Sequence, residues 1–302
     1  MPFLYWLIEI IRTMSYILKR LTVWIIALLL SGCANVPSPQ QRQVTVSQLA
    51  ASHNWQARTI KTQQFDLLSY RPKNITHETE LTVYIEGDGL AWLNSRAIST
   101  DPTPVNPVGL KLTLNHPEGN AVYLARPCQY VGGITARSCN KHQWSDSRFS
   151  EEVVTSINEA LNALKAEFNA TKLQLVGFSG GGAIAALLAA RRDDVIKLIT
   201  VAGNLDHQAW TSHHKISPLM GSLNPADYRQ KLTKVKQIHF VGSDDKIMPP
   251  FLGQEFVAGL PNSANAKVIV IPNQSHSCCW ESIWTELMIK HSAESSGWSG
   301  ND

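Results

Sequence analysis

The 302-residue sequence has few charged residues and few cysteines. Charged residues make up 17% of the chain, the formal net charge is +3, and no dense Lys/Arg block occurs beyond the N-terminus. The composition therefore gives no electrostatic support for a nucleic-acid partner. The five cysteines lack the C-x-x-C and histidine spacings of a zinc site, so we expect no metal. No internal repeats occur.

Apolar runs near the N-terminus are short. Leu21–Leu30 is an apolar run interrupted only by Thr22, and it follows Lys19 and Arg20. Ten residues are too few to span a bilayer but fit the core of a signal peptide. The next residues, "LSGC", end at Cys33 and resemble the lipobox of bacterial lipoproteins. That resemblance implies cleavage before Cys33, lipidation of Cys33, and a membrane contact made through the lipid.

Several features of this leader stay open in the sequence. An uncleaved N-terminal anchor is the alternative, helped by the apolar stretch 3–11, and the start codon is Met1 or Met14. Ala34 is not Asp, which in Gram-negative lipoproteins indicates the periplasmic face of the outer membrane. We therefore expect a bacterial envelope location, in the outer membrane if the source is Gram-negative.

These features divide the chain into three parts. Residues 1–32 are predicted to be the signal peptide, 33–58 the lipidated cysteine with a polar tether, and 59–302 a single domain. Besides Cys33, an even number of cysteines remains, which is consistent with disulfide bonds in an exported protein. We favour a Cys128–Cys139 disulfide, whereas Cys278 and Cys279 are either a vicinal disulfide or free thiols.

Strand-like and helix-like segments alternate after the predicted tether, which indicates an α/β fold with a mostly parallel sheet. Several strand candidates are continuously apolar, as expected of parallel strands covered on both faces. The strand candidates are 65–72, 81–87, 120–126, 172–178, 195–203, 236–242 and 266–272. The helix candidates are 150–168, 181–192 and 280–291.

A serine flanked by glycines lies between the strand candidate 172–178 and the helix candidate 181–192. Residues 177–181 read G-x-S-x-G around Ser179, which in this context is the turn of a nucleophilic serine. Glycine-rich turns also bind phosphates, but the segment matches neither G-x-G-x-x-G nor G-x-x-x-x-G-K-[ST]. No nucleotide or other cofactor is therefore expected.

A serine nucleophile needs a base and an orienting acid. "GSDDKIMPP" follows a predicted strand and resembles the turn that presents the acid in α/β-hydrolases, which places Asp245 in the acid position. Asp244 and Asp206 are the competing candidates. His276 follows the last predicted strand and is the base candidate. The order Ser179, Asp245, His276 is that of α/β-hydrolases.

The chain is thus similar, over about residues 60–292, to the α/β-hydrolase superfamily, within a lipoprotein-anchored group. The resemblance implies a central sheet with helices on both faces. It also implies an oxyanion hole after an early strand, for which the backbone N–H groups of Asp88 and Gly180 are the candidates. Glu86 stands where lipases and esterases of this fold carry histidine.

The region 204–235, where this fold usually places its cap, is only about thirty residues long. A short cap predicts an open or modest pocket and favours small or medium acyl esters. Trp92, Trp210 and Tyr130 are candidate substrate contacts. The sequence therefore predicts a membrane-anchored serine hydrolase that cleaves carboxylic esters through a Ser-His-Asp triad and an acyl-enzyme. The alternatives are a serine peptidase or amidase on this fold and a non-catalytic envelope lipoprotein that retains it.

Overall fold

The computed structural model describes residues 12–20, 36–76 and 78–293. Its contacts divide the chain into two units, Met1–Pro37 and Ser38–Asp302. Residues 12–20 of the first unit form a helix, and the predicted signal-peptide core and Cys33 lie outside the described residues. None of the helices in the described ranges combines the length and the hydropathy needed to cross a membrane.

An eight-stranded sheet occupies the centre of the second unit, in the order β1-β2-β6-β3-β7-β8-β9-β10. β1 and β2 pair antiparallel with each other, β2 pairs antiparallel with β6, and the remaining neighbours are parallel. A small hairpin, β4 and β5, lies outside this sheet. The strands are β1 Trp55–Lys61, β2 Asp66–Pro72, β3 Glu80–Ile85, β4 Trp92–Asn94, β5 Ala97–Ile98, β6 Ala121–Leu124, β7 Lys172–Phe178, β8 Val195–Val201, β9 Lys236–Gly242 and β10 Ala266–Ile271.

Helices connect and cover the strands. They are α1 Pro39–Ser52, α2 Val108–Leu114, α3 Glu151–Phe168, α4 Gly180–Ala189, α5 His207–His214, α6 Arg229–Leu232, α7 Pro250–Ala258 and α8 Trp280–Ala293. Three short 3-10 turns lie at Gly133–Thr135, Lys141–Trp144 and Pro225–Tyr228. At α3, the sequence signal for the start of a helix is visible in the structure. The Ser150 side chain accepts a hydrogen bond from the Val153 N–H and caps the helix.

Apolar side chains fill both faces of the sheet because successive strand residues point to opposite sides. In β7, Leu175 joins the buried cluster that includes α3 and α4, whereas its neighbour Val176 joins the cluster that includes α2 and α8. The fold prediction is therefore confirmed: the domain is a mostly parallel α/β sheet with helices on both faces. The parallel strands end at one edge, which places their following loops together.

The predicted tether is wrong over most of its length. Residues 39–52 form α1, which starts with a Ser38–Gln41 capping box and buries Val46 and Ala50. The Arg42 guanidinium, itself buried, donates to the Thr103 carbonyl. Strand β1 then begins before residue 59. The polar surface of α1 explains the error, since only three of its residues are buried and its apolar stripe is narrow.

Two disulfide bonds are present in the described part of the chain. One joins Cys128 to Cys139, the pairing that the sequence favours. The other joins the adjacent residues Cys278 and Cys279, directly after the loop that carries His276.

Candidate active site

Ser179 lies at the sharp turn between β7 and α4. Its backbone has φ 51° and ψ −118°, a region that side-chain-bearing residues seldom occupy. Backbone hydrogen bonds hold this turn in place. The Ser179 N–H donates to Val201 O, and Ser179 O accepts from the N–H groups of Gly182 and Asn204. The strain is thus fixed by the surrounding backbone and projects the hydroxyl above the sheet.

The glycines around Ser179 are required by close contacts. A Cβ atom on Gly177 would lie 2.3 Å from Gly181 O, and one on Gly181 would lie 2.3 Å from Ile85 O. A Cβ atom on Gly182 would lie 2.8 Å from the Cα of Gly203. Gly182, directly after the motif, therefore allows α4 to approach the loop after β8.

Asp245 follows β9, and its carboxylate is completely buried. One oxygen, Oδ1, accepts from the backbone N–H groups of Ile247 and Met248 at 2.8 Å each. The other, Oδ2, lies 2.8 Å from His276 Nδ1. The two competing carboxylates lie elsewhere: Asp244 is exposed beside Ser243, and Asp206 caps α5.

His276 stands between the carboxylate and the serine. Its Nε2 atom is 3.0 Å from Ser179 Oγ, and its ring packs against Phe178 with the ring centroids 5.4 Å apart. The buried Trp280 side chain donates to the carbonyls of Ser275 and His276 and so holds the loop to α8. The structure thus brings together all three side chains that the sequence singled out.

The loop after β3 faces Ser179 and carries two acidic residues with different surroundings. Glu86 is buried, and its Oε1 accepts from the N–H groups of Gly87 and Gly109 at 2.9 and 3.1 Å. Burial raises the pKa of Glu86 above the usual value of a glutamate, and these hydrogen bonds oppose the rise only in part.

Asp88 is held by two arginines. Its Oδ1 lies 3.2 Å from Arg126 Nη1 and its Oδ2 lies 2.6 Å from Arg148 Nη1. Burial alone would raise the pKa of Asp88, but the charges of Arg148 and Arg126 outweigh it and hold the pKa below its usual value. The carboxylate is therefore ionised and paired rather than free to repel a negative charge beside Ser179.

The two amide groups proposed from the sequence as oxyanion donors are open. Within the described ranges, neither the Asp88 N–H nor the Gly180 N–H donates to a protein acceptor. Gly180 is the first residue of α4, whose leading N–H groups have no partner inside the helix. Both groups are available to an external oxygen.

A cavity of about 1000 Å³ opens above Ser179 and His276. This is the upper end of the range for small-molecule sites, so the cavity is larger than the modest pocket expected from the short cap. Its walls come from the β3 loop, the β4–β5 hairpin, the segment 142–148, the region 204–219 and the loop of Ile247. Apart from Trp92, the wall residues of the hairpin and those of the segment 104–108 were not foreseen from the sequence.

Two of the three candidate substrate contacts line this cavity, namely Trp92 and Trp210. Tyr130 does not, and that prediction is wrong. Its ring is buried in a separate apolar cluster with Tyr70 and Tyr123, because the chain turns inward after Cys128 with φ 72° at Cys128 and 62° at Tyr130.

A family sequence model covers the part of the chain that carries Ser179, Asp245 and His276. A family sequence model described as Serine hydrolase (FSH1) matches residues 113–277, which is more than half of the chain. The chain belongs to this serine hydrolase family. A search of curated proteins found no match.

Solved structures show the same fold for this serine hydrolase. Est1E from Butyrivibrio proteoclasticus has a TM-score of 0.56 at 17% identity, covering 80% of this chain and 99% of its own. An esterase from Pyrococcus furiosus has a TM-score of 0.54 at 12% identity, covering 82% and 93%. A puromycin-hydrolyzing peptidase from Mycobacterium tuberculosis has a TM-score of 0.56 at 12% identity, covering 83% and 40%. All are α/β-hydrolase folds, and at such identities the likeness is one of fold.

Sequence reasoning missed the residues that position the site from a distance. Arg126 and Arg148 lie 38 and 60 residues from the aspartate that they hold. The Ile247 carbonyl, beside Asp245, accepts from Trp210 Nε1 at 2.9 Å and from His214 Nε2 at 2.8 Å. No local pattern marks these residues, since each acts through the tertiary fold of the serine hydrolase.

Proposed function

We propose that this serine hydrolase cleaves carboxylic esters, with Ser179 as nucleophile, His276 as general base and Asp245 as the orienting acid. The observation that carries the proposal is the continuous pair of contacts, 3.0 Å from Ser179 Oγ to His276 Nε2 and 2.8 Å from His276 Nδ1 to Asp245 Oδ2. Nucleophile, base and acid within hydrogen-bond reach are what acyl transfer by serine requires.

The reaction proceeds in two halves. In the first, His276 Nε2 takes the hydroxyl proton as Ser179 Oγ bonds to the acyl carbon, and His276 then returns the proton to the departing alcohol oxygen. In the second, His276 takes a proton from water, the resulting hydroxide attacks the acyl-enzyme, and Ser179 leaves with the proton. Asp245 accepts from His276 Nδ1 and stabilises the imidazolium in both halves. Side chains, backbone amides and water supply every group, so the proposal includes no cofactor.

The oxyanion of each tetrahedral intermediate is bound by the N–H groups of Asp88 and Gly180. Both groups are open in the structure, and Gly180 adds the positive end of the α4 dipole. One such donor is worth about 3–4 kcal/mol in the transition state. The pairing of the Asp88 carboxylate with Arg126 and Arg148 removes the repulsion that an unpaired carboxylate would exert.

A fluorophosphonate probe tests the assignment of the nucleophile. The full chain in detergent is expected to be labelled, and Ser179→Ala is expected to lose the label. Ser217→Ala is the matched control, because Ser217 is an exposed serine of the same cavity and makes no contact with His276 or Asp245. A folded wild-type chain that resists labelling at neutral pH would overturn the proposal, and labelling of Ser179→Ala would move the nucleophile elsewhere.

Substrate class is tested with matched esters, amides and thioesters of graded acyl length. Ester cleavage at least about tenfold faster than amide cleavage is expected from the difference in leaving groups. Faster cleavage of amides would instead identify the chain as an amidase or peptidase.

We also propose that Cys33 is lipidated and anchors the protein in the bacterial envelope. The support is the "LSGC" sequence after a short apolar run. Metabolic labelling with a palmitate analogue is expected to mark the wild-type chain but not Cys33→Ser, which should leave the membrane fraction. Equal labelling of both would contradict lipidation at this residue.

A further inference from the structure

Two arginines and one aspartate form a cluster directly beside the Ser179 turn. Arg148 and Arg126 share the Asp88 carboxylate, and Arg126 also donates to the Arg148 carbonyl. A Cβ atom on Gly180 would lie 2.1 Å from Asp88 Oδ1, so the carboxylate is packed against the residue that follows the nucleophile. The cluster is therefore part of the wall nearest to the reacting atoms.

The cluster contains one more cationic side chain than anionic side chains. Two guanidinium groups, those of Arg126 and Arg148, face the single carboxylate of Asp88. Glu86 is the other acidic group near Arg126, and burial favours its neutral form. The other charged side chains of the cavity, Asp146 and Lys215, have opposite signs and lie nearer the solvent.

Arg148 turns the surplus charge toward the cavity. It is only 6% exposed but lines the same cavity as Ser179 and His276. Its Nε donates to Ser145 O at 2.5 Å and its Nη1 to Asp88, whereas Nη2 donates to no residue in the described ranges. These bonds fix the guanidinium plane and leave one terminal nitrogen with an unused donor.

We propose that the substrate is an ester that bears an anionic group, above all a carboxylate, a short chain away from the scissile bond, and that Arg148 binds this group. This inference rests on the proposed ester hydrolysis. A charged donor shielded from water binds a carboxylate more strongly than a neutral donor does, and its fixed position costs little entropy on binding. The anionic group is bound and undergoes no chemical change. Its attachment to the acyl or to the alcohol part of the ester is decided by the test.

The test compares esters in pairs that differ only in the charge of one end. Monoethyl adipate against ethyl hexanoate probes the acyl side, and 4-acetoxybutyrate against butyl acetate probes the alcohol side. Using the full chain in detergent, we expect kcat/KM to be at least about tenfold higher for the anionic member of one pair. Equal values, or a preference for the neutral member in both pairs, would overturn the inference.

Variants locate the anionic preference. Arg148→Met should reduce kcat/KM for the favoured anionic ester by about tenfold more than for its neutral partner, and Arg148→Lys should keep part of the preference. Lys215→Met is the matched control, a cation removed from the outer part of the same cavity. If Lys215→Met abolishes the preference while both Arg148 variants retain it, Arg148 is not the binding group.

The possible outcomes distinguish a failure of this inference from a failure of the proposed ester hydrolysis. Hydrolysis of the neutral esters with no anionic preference rejects the role of Arg148 and leaves ester hydrolysis intact. Absence of fluorophosphonate labelling together with absence of any ester cleavage rejects both. If Arg148→Met does not fold, the substrate pairs on the wild type and on Arg148→Lys still decide.

Discussion

Two loops at the same edge of the sheet hold carboxylates in opposite ways. After β9, Asp245 is bound by backbone N–H groups two and three residues further along the chain. After β3, Asp88 is bound by guanidiniums that come from 38 and 60 residues away. Both carboxylates belong to the candidate site, since Asp245 contacts His276 and Asp88 packs against Gly180, but one is held locally and the other by the tertiary structure.

The difference explains what each loop can do. Backbone amides fix Asp245 without adding charge, so its second oxygen is left to orient His276. The arginines overcompensate Asp88 and leave the β3 loop positive. In the proposed mechanism, the first loop therefore orients the general base, while the second supplies a positively charged surface beside the proposed oxyanion site.

Asp245→Asn should have the largest effect on catalysis. The asparagine keeps an acceptor for Ile247 and Met248 but no longer stabilises the imidazolium, so kcat should fall on the order of 10³ to 10⁴-fold. Steady-state ester hydrolysis measures the fall, with circular dichroism as the check on folding. Asp244→Asn, at the exposed neighbouring position, should leave kcat unchanged. A comparable loss in that control would show that the loop tolerates no change at all.

Asp88→Asn should have the largest effect on stability. Removal of the charge leaves two buried guanidiniums facing each other, which should lower the free energy of unfolding by about 3 kcal/mol. The pKa of Asp88 is depressed in the folded protein, so this contribution is present above the unfolded-state pKa and is lost as pH falls through the folded-state pKa.

Chemical denaturation at pH 7 and near pH 3 checks this prediction, and the gap between wild type and variant should narrow in acid. Asp66→Asn is the matched control, since Asp66 pairs with Arg137 at the surface at 2.8 Å. An exposed pair of this kind contributes about 1 kcal/mol or less. Equal losses in the two variants would contradict the distinction between the buried and the surface pair.

Trp210→Phe should weaken the acid loop moderately. It removes one of the two donors to the Ile247 carbonyl, a loss of about 0.5–1.5 kcal/mol, or roughly twofold to tenfold in kcat. His214 donates to the same oxygen, so Trp210→Phe combined with His214→Ala should cost more than either change alone. A rise in KM with kcat unchanged would show instead that Trp210 acts only as a wall of the cavity.

Glu86→Gln should have the smallest effect, and that effect should depend on pH. Burial raises the folded-state pKa of Glu86, so the wild type loses stability as pH rises above the unfolded-state pKa, whereas glutamine has no proton to lose. The variant should therefore gain stability relative to wild type between pH 5 and pH 8 in thermal unfolding. Glu255→Gln, on the exposed face of α7, is the matched control for replacement of a glutamate by glutamine. A constant difference for Glu86→Gln would mean that Glu86 stays ionised.

The division between local and distant support also decides what could be predicted from the sequence. The seven strand candidates correspond to β2, β3 and β6 to β10, and continuous apolar runs mark the buried parallel strands among them. Ser179, Asp245 and His276 were found because each follows a strand in a short, recognisable turn. These three side chains contact residues that are close to them in the chain or residues of other loops at the same edge of the sheet.

The failures have the opposite cause. Helix α1 has too few buried residues to show a clear apolar stripe, and Tyr130 is carried inward by positive φ angles that a propensity argument does not foresee. Arg126 and Arg148 are ordinary arginines in the sequence, and only the folded chain makes them partners of Asp88. The size of the cavity likewise depends on a hairpin of five strand residues, β4 and β5, too short to be detected by periodicity.

The crowding around the glycines at the Ser179 turn has a genetic consequence. Every missense change of a glycine codon introduces a Cβ atom, and at Gly177, Gly180, Gly181 and Gly182 that atom would lie 2.1 to 2.8 Å from another atom of the protein. These four codons should therefore tolerate almost no amino-acid replacement, although none of the four residues has a side chain that takes part in the reaction. In a saturation library selected for activity, they should be as depleted of variants as the codon for Ser179.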